Sequence, residues 1–312
     1  MIRGKPISPS AQAVGLLLFM KSNQFLVGAA LILFSEMFLV LSGMVIKQIS
    51  ADLPTEMIVF FRNFLGLILF IPWLMRKGAR VLHTKKLRFH LMRATVGVTA
   101  MTCLFYSWGH LPLAQAALLK QTAPFFMPLI AFWWLGERIS KRVKLAIFVG
   151  FVGVALILNP QQSMVNVGIL IALAGACLGA LAKVTVRRMR DSESPQLIVF
   201  YFAFFSAILS AIPAWLTGVG LTLIQFGWLI VLAATSTVAQ LSLSKAYGMA
   251  PAGQLAPYTY GSVAMAALLG WLVWDEVLGL HTLLGILLVS CAGIVAMLGK
   301  QQAVKPVTDP TL

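Results

Sequence analysis

GHLPLAQAALLKQTAPFFMPLIAFWWLGE, which runs from Gly109 to Glu137, is the stretch that decides the fold, because the chain contains it twice. The second copy is GMAPAGQLAPYTYGSVAMAALLGWLVWDE, Gly248 to Glu276, which lies 139 residues further on. Each copy has a short Gly-x-x-Pro connection, about 20 mostly apolar residues and a carboxylate where the apolar run stops, which is typical of a membrane-spanning helix. The sequence therefore predicts a membrane protein built by duplication.

The composition of the whole chain supports this interpretation. Of the 312 residues, 60% are hydrophobic and 11% charged, and the mean hydropathy is +0.91. Such a chain is too apolar for a soluble protein of this length. The net charge of +15 comes from Lys and Arg in short loops, where it orients membrane helices, so we exclude nucleic acid as a partner. The three cysteines lie in apolar runs and are interpreted as core residues rather than disulfides.

Ten apolar segments lie between an N-terminal tail, residues 1–24, and a C-terminal tail, residues 299–312. The N-terminal tail contains a short apolar run, Ala13 to Met20, that is too brief to span a bilayer and has no small-residue cleavage pattern. We therefore interpret it as a cytoplasmic tail and not as a signal peptide. The ten segments are 25–46, 56–75, 90–109, 114–135, 143–158, 165–186, 196–216, 222–247, 252–273 and 280–298.

Positive charge is distributed unequally between two sets of loops. Loops on one side contain clusters between Arg76 and Arg93, between Arg138 and Lys144 and between Arg187 and Arg190, whereas those on the other side contain only Lys47. Lys and Arg are enriched in cytoplasmic loops of membrane proteins. We therefore predict a multi-pass protein of the cell inner (plasma) membrane with both termini in the cytoplasm.

The duplication extends over two five-segment halves, residues 25–158 and 165–298. Ile58 to Phe61 recurs as Ile198 to Tyr201, and Lys47 at the end of the first segment corresponds to Arg187 at the end of the sixth. Because five is an odd number, the second half must enter the membrane upside down. The predicted fold class is all-α integral membrane, with ten transmembrane helices arranged as two inverted five-helix repeats.

The chain resembles the EamA-type transporters of the drug/metabolite transporter superfamily over nearly all of 25–298. The stretches that carry this resemblance are Leu111 to Ser140, Gly150 to Pro160 and Ala250 to Glu276. The branch of S-adenosylmethionine uptake transporters is the most similar one, through Phe61-Arg62, Gly97 to Tyr106, Ala250-Pro251-Ala252 and Pro257-Tyr258-x-Tyr260. This resemblance implies ten helices, alternating access, and a central cavity lined mainly by helices one, three, four, six, eight and nine.

Charged residues inside the apolar segments are the first candidates for a substrate site, because a charge in the bilayer centre must pair, neutralise or face a cavity. Glu36 lies near the middle of the first segment and is interpreted as a counter-charge or a proton-coupling group, with a protonated structural carboxyl as the alternative. Lys120 is expected to pair with Glu36 or to hold a carboxylate, with snorkelling to the outer face as the alternative. Arg62 is a candidate clamp for a carboxylate or phosphate or else an interfacial anchor.

Uncharged residues complete the predicted substrate site. The aromatic candidates are expected to form a stacking wall, although Tyr and Trp also anchor helices at membrane interfaces. Lys47 is interpreted as an outer-end anchor and Lys183 as a topology signal. Glu137 and Glu276, which correspond in the two copies, are interpreted as markers of the water interface or as partners of the nearby Arg138 and Lys141. The uncharged candidates are Tyr106, Trp108, Gln121, Gln240, Tyr258 and Tyr260.

These features predict a secondary transporter of a small charged or zwitterionic metabolite, amino-acid-like or S-adenosylmethionine-like, in either direction. The alternatives are an organic-anion, carboxylate or drug exporter of the same fold and, outside this class, a non-transporting scaffold or a channel. The sequence has no ATP-binding motif, metal-ligand spacing or nucleophile elbow, so we predict no enzyme activity, metal or cofactor. The expected partners are a small-molecule substrate, the lipid bilayer, and a proton or exchange substrate. Glycines of helices five and ten suit close packing, with a homodimer as the alternative.

Overall fold

The computed structural model describes residues 9–68, 71–78, 82–136, 139–158, 167–189, 192–249 and 255–298. Regular secondary structure in these ranges is helical, and helices occupy all ten apolar segments. The helices are α1 Pro9–Ile49, α2 Thr55–Ile68, α3 Ile71–Lys77, α4 Leu87–His110, α5 Leu113–Lys120, α6 Ala123–Leu135, α7 Lys141–Leu158, α8 Val167–Met189, α9 Pro195–Leu216, α10 Leu223–Met249, α11 Gly261–Trp274 and α12 Leu280–Leu298. A 3-10 helix, Ala256–Tyr260, precedes α11.

Two features differ from the predicted segments. The first helix begins at Pro9 rather than near residue 25, because no proline follows Pro9 in this stretch to stop the helix. The fourth segment is divided into α5 and α6, and the ninth begins with a 3-10 turn before α11. Proline explains the first interruption, since Pro124 has no N–H to donate to the carbonyl of Lys120.

Four helices of the described ranges are long and apolar enough to cross a membrane by length and composition. The interrupted fourth and ninth segments fall below this length because each is broken into shorter pieces. α12 contains a shorter apolar stretch, Leu280–Ala296. The four long spans are Gln24–Ile49, Val167–Val186, Leu197–Leu216 and Leu223–Leu243.

The helices pack mainly in pairs: α1 with α10, α4 with α8, α2 with α9, and α7 with α12. The broken helices lie between these pairs, with α5 against α11 and α8 against both α5 and α6. The largest core cluster joins Phe105, Trp108, Phe125 and Tyr260 to aliphatic residues of several helices. The bundle therefore places the two helix breaks in its interior.

Glycines bring α7 and α12 into close contact. A Cβ atom added to Gly285 would lie 2.7 Å from the carbonyl oxygen of Gly153. Gly150 and Gly293 face the rings of Phe125 and Tyr260 in the same way. All four glycines that were expected to promote close packing are used inside the chain, so a homodimer would have to use other residues of these helices.

α6 and α11 end alike at positions related by the repeat. Gly136 follows α6 with φ 69° and Asp275 follows α11 with φ 52°, so both residues are left-handed. Glycine adopts this conformation without strain, whereas aspartate does so because its short polar side chain tolerates it. The residue after Asp275 is Glu276, which the left-handed turn directs back towards α5.

Candidate functional site

The break between α5 and α6 is the centre of the candidate site. Here the backbone changes to the tighter 3-10 pattern, as Gln121 N–H donates to the carbonyl of Leu118 at 2.8 Å and Thr122 N–H to that of Leu119 at 3.1 Å. The hydroxyl of Thr122 donates to the same Leu119 carbonyl at 2.6 Å. Broken helices expose backbone groups and side chains in the interior of membrane carriers, where these groups are available for binding.

The break in the fourth segment is hydrogen-bonded to the 3-10 turn of the ninth. The side-chain amide of Gln121 donates to the carbonyl of Thr259 at 2.7 Å and to the hydroxyl of Ser262 at 3.2 Å. In return, the hydroxyl of Tyr260 donates to the carbonyl of Gln121 at 3.0 Å. Gln121 and Tyr260 are equivalent positions of the 139-residue repeat, so the two copies contact each other through corresponding residues. Both are buried, at 6% and 7% exposure.

Glu36 and Lys120 form an ion pair beside this break. The Nζ atom of Lys120 lies 3.3 Å from Oε2 of Glu36, and the side chains are 25% and 6% exposed. The neighbouring Ser35 donates to the carbonyl of Ala239 at 2.7 Å and so fixes α1 against α10. Breaking a buried pair by removing one partner costs about 3–5 kcal/mol, because the remaining charge is left uncompensated. The pair is thus a charged element held in the interior at the point where a helix is interrupted.

Two further cations extend this pair. Lys183 of α8 is within electrostatic reach of Lys120, Glu36 and Arg93. We call Glu36, Lys120, Lys183 and Arg93 the central cluster. The interpretation of Lys183 as a topology signal is therefore incomplete, because α8 continues to Met189 and leaves Lys183 well inside the helix. The available signal was its position within the predicted segment 165–186.

A second ion pair ties α1 to α11. The Nζ atom of Lys47 contacts Oε1 of Glu276 and also donates to the carbonyl of Leu111 at 3.1 Å. The other carboxylate oxygen of Glu276 accepts the Leu113 N–H at 2.8 Å, which satisfies a free donor at the start of α5. We call these four residues the latch. Lys47 and Glu276 were interpreted as an anchor and an interface marker, and this interpretation missed the ion pair between them, whose side chains are 17% and 13% exposed.

The latch and the central cluster lie at different depths. Glu36 and Lys47 are separated by 11 residues of α1, which corresponds to about 16 Å at the helical rise of 1.5 Å per residue. Leu111 and Leu113 flank the start of α5, and Lys120 is the last residue of the same helix. One end of the bundle is therefore closed by ionic contacts above a charged interior.

The other predicted site residues lie outside these two clusters. Trp108 is 2% exposed and packs in the core, so it offers no surface to a ligand in this conformation. Tyr106 is half-buried and stacks on His110, with ring centroids 3.9 Å apart. Arg62 donates to the side-chain oxygen of its neighbour Asn63 at 3.1 Å. Tyr258 packs edge-on against Phe25 at 6.0 Å, and Gln240 is exposed on α10.

A separate apolar cavity of about 650 Å³ lies between α2 and α9. Met57, Phe60, Phe61, Ile212 and Trp215 are among its lining residues. It contains none of the charged residues of the central cluster. The charged interior, and not this cavity, is the candidate site for a charged ligand.

An interior with opposite charges at interrupted apolar helices defines a class of protein, the membrane transporters of small molecules. The comparison with protein families agrees with this class. The EamA-like transporter family matches residues 26–159 and again residues 166–298. The chain therefore belongs to the EamA-like transporter family of the drug/metabolite transporter superfamily, which confirms the resemblance found in the sequence.

Named relatives of this chain are bacterial transporters. The pseudopaline exporter CntI of Pseudomonas aeruginosa is 33% identical over 268 residues, which cover 84% of this chain and 93% of that protein. A riboflavin transporter of Brucella anthropi is 28% identical over 71% of this chain and 80% of its own length. An S-adenosylmethionine uptake transporter of Rickettsia bellii is 26% identical over 82% and 88%. The relatives thus share transport as their named activity but differ in named cargo.

A solved crystal structure shares the fold. It matches with a TM-score of 0.59 over 88% of this chain and 97% of that chain, at 18% sequence identity. This likeness extends over both family matches. It supports the helical architecture described above.

Proposed function

We propose that this protein is a secondary transporter that carries a small charged or zwitterionic metabolite across the inner membrane by alternating access. The observation that carries the proposal is the Glu36–Lys120 pair, which lies beside the break in one copy of the repeat and against the corresponding turn of the other. Glu36 is suited to bind a cationic group of a ligand, and Lys120 is suited to bind an anionic group. A passive scaffold has no need of an ion pair in this place.

The helix packing supports two inverted halves, residues 25–158 and 165–298. Exchange of the halves converts the α1–α10 pair into the α8–α4 pair, and these are two of the most extensive contacts in the bundle. The same exchange leaves the α2–α9 and α7–α12 contacts unchanged. An inverted repeat reaches its second state when the halves exchange conformations around a site near the midplane.

The latch is proposed as a gate at one end of the bundle, and the repeat predicts an equivalent pair of residues at the other end. Lys47 corresponds to Arg187, and Glu276 corresponds to Glu137. The exchange of halves therefore pairs Arg187 with Glu137 when the latch opens. Glu137 and the side chain of Arg187 lie outside the described residues, so this second pair is inferred from the repeat alone. The proposed cytoplasmic termini put the latch on the outer side of the membrane, and we therefore propose that the structure is an inward-facing state.

Glu36 is the proposed coupling residue. It is 4% exposed and pairs with a cation whose side chain is more accessible. Protonation of Glu36 releases Lys120 to bind a substrate carboxylate. When the substrate leaves and Glu36 gives up its proton on the other side of the membrane, the pair forms again. Energy then comes from a proton gradient or from exchange of one substrate for another.

The first experiment measures ligand binding by thermal unfolding of the full chain in lipid nanodiscs. The panel contains amino acids, di- and tricarboxylates, polyamines, acyl-carnitines, riboflavin, S-adenosylmethionine and pseudopaline, the last three because relatives are named for them. A ligand present at 100 times its dissociation constant adds about 2.7 kcal/mol to the free energy of unfolding. Glu36→Gln and Lys120→Met should abolish this stabilisation, whereas Glu56→Gln on α2 should preserve it.

Transport of the ligand that binds is then measured in proteoliposomes with and without a pH gradient. The proposal predicts accumulation that depends on Glu36, and for a proton-coupled carrier the pH dependence disappears in Glu36→Gln. Binding of a drug-like apolar compound that is unaffected by both variants would instead indicate an exporter that uses the cavity between α2 and α9. Equal downhill flux in all variants would indicate a channel and refute the carrier.

A further inference from the structure

The central cluster contains more positive than negative charge. Glu36 is its single carboxylate, whereas Lys120, Lys183 and Arg93 are three cations, and Lys183 is within electrostatic reach of the other two. Among the described residues, ion pairs join Lys47 to Glu276, His90 to Glu193 and Lys120 to Glu36. In that part of the chain, Lys183 and Arg93 therefore have no carboxylate partner. Positive charge in a membrane interior without a counter-charge is costly unless it serves an anion or an aqueous path.

Arg93 carries unused hydrogen-bond donors. Its guanidinium lies over the ring of Phe202, 4.1 Å from the ring centroid, which holds the side chain across the α4–α9 contact. The Nε and Nη1 atoms are buried and have no hydrogen-bond partner in the described residues. A guanidinium presents its donors in a planar fork that fits a carboxylate or a phosphate. Arg93 is thus held in a fixed orientation, with buried donors that no group of the described residues accepts from.

Lys183 differs from Arg93 because its side chain is exposed. Its electrostatic neighbours include Lys120 of α5, a helix that packs against α8, and Glu36 of α1. The charge of Lys183 therefore acts on the Glu36–Lys120 pair.

We infer that Lys183 and Arg93 form an anion subsite next to the Glu36–Lys120 pair, and that the transported substrate has at least two carboxylate or phosphate groups. One anionic group binds between Lys183 and Arg93. The second binds Lys120 when Glu36 is protonated. The inference deepens the proposed function by defining its substrate class, and it rests on that function.

The test uses four probes on the full chain in nanodiscs: citrate as a polycarboxylate, fructose 1,6-bisphosphate as a bisphosphate ester, acetate as a single carboxylate and spermidine as a polycation. We expect citrate or fructose 1,6-bisphosphate to raise the unfolding temperature, and the comparison of these two identifies the anionic group. Acetate and spermidine should have no effect. Stabilisation by spermidine, or by none of the anions, overturns the inference.

Variants then locate the subsite. Loss of a charged hydrogen-bond partner should weaken binding of the active probe by about 10–100-fold in Lys183→Met and in Arg93→Met. Lys183→Arg should retain binding, and the control Lys245→Met on the exposed end of α10 should change the affinity less than twofold. If Arg93→Met unfolds, Lys183→Met decides, since its side chain is exposed. Equal affinity in Lys183→Met and the unmodified protein contradicts the subsite.

Transport distinguishes failure of this inference from failure of the proposed function. If polyanions do not bind but another ligand is transported in a manner that requires Lys120, the carrier is retained and the anion subsite is wrong. If no ligand in the broader panel is accumulated, the proposed function itself is refuted.

Discussion

Replacement of Glu276 by glutamine, a side chain of the same size and shape, should favour the open state of the latch. The carboxylate has two oxygen atoms that accept at the same time, one from Lys47 and the other from the Leu113 N–H. The amide of glutamine has one oxygen that accepts and one NH2 group that donates. Since Lys47 and the Leu113 N–H are both donors, the NH2 group must face one of them and that hydrogen bond is lost. The substitution therefore removes one charge-assisted hydrogen bond and the charge of the ion pair.

The expected magnitude follows from burial. A hydrogen bond to a charged group contributes about 1.5–3 kcal/mol, and the latch side chains are mostly but not fully buried, at 17% and 13% exposure. We take about 2 kcal/mol, which changes an equilibrium between closed and open states about 30-fold. The population of molecules open at the latch should rise by this factor.

Distances between spin labels at Asp52 and Val277 measure this population. Asp52 is exposed after α1 and Val277 is 84% exposed after α11, so labels there lie on either side of the latch. Cys103, Cys177 and Cys291 are first replaced by alanine. The matched control is Glu56→Gln, which removes a carboxylate of α2 that is outside the latch. A distance distribution that is identical in Glu276→Gln and in Glu56→Gln would refute the reasoning.

Three further predictions concern the interior. In a double-mutant cycle measured by denaturant unfolding, Lys120→Met should lower the free energy of unfolding by about 3–5 kcal/mol. Adding Glu36→Gln to Lys120→Met should recover at least about 0.5 kcal/mol of that loss, whereas strict additivity of the two substitutions would contradict the ion pair. Tyr260→Phe leaves the Gln121 carbonyl without its donor, and should lower the free energy of unfolding by about 1–3 kcal/mol and slow transport. The control Tyr201→Phe, which loses a hydrogen bond to the Leu82 carbonyl, should affect stability alone. Equal transport rates in the two variants would contradict a role of the break between α5 and α6 in transport. Gly285→Ala should destabilise by about 1–3 kcal/mol because the new Cβ meets Gly153, and the control Gly227→Ala, with nothing within 4 Å, should be neutral or stabilising; a neutral Gly285→Ala would refute the close helix contact.

The sequence was sufficient to predict the helices, because apolar runs and turn residues are local signals. Residues 280–298 were predicted as one segment and form α12 with the same bounds. The predicted first segment, 25–46, agrees with the apolar span Gln24–Ile49 within three residues. The helix itself extends back to Pro9, which hydropathy does not detect because the run Ala13 to Met20 is too short to span a bilayer. The carboxylate–lysine contact of Glu36 and Lys120 was also predicted from the need of each charge for a partner, and the structure confirms that contact.

The latch and the additional cations were missed because they depend on tertiary contacts. Lys47 and Glu276 are 229 residues apart in the chain, and only the approach of α1 to α11 makes them partners. Lys183 and Arg93 resemble loop cations in sequence because each lies near the end of an apolar run. Their common position follows from the antiparallel packing of α4 on α8, which no local pattern specifies.

The most direct test of the account is access of a single cysteine at the central cluster from each side of the membrane. Lys183→Cys in the chain without its three native cysteines would be treated with a membrane-impermeant maleimide in vesicles of either orientation. The account predicts labelling from the cytoplasmic side alone, and additional labelling from the opposite side once Glu276→Gln has opened the latch. Labelling from both sides with an intact latch, or from neither side in both backgrounds, would contradict alternating access around this site.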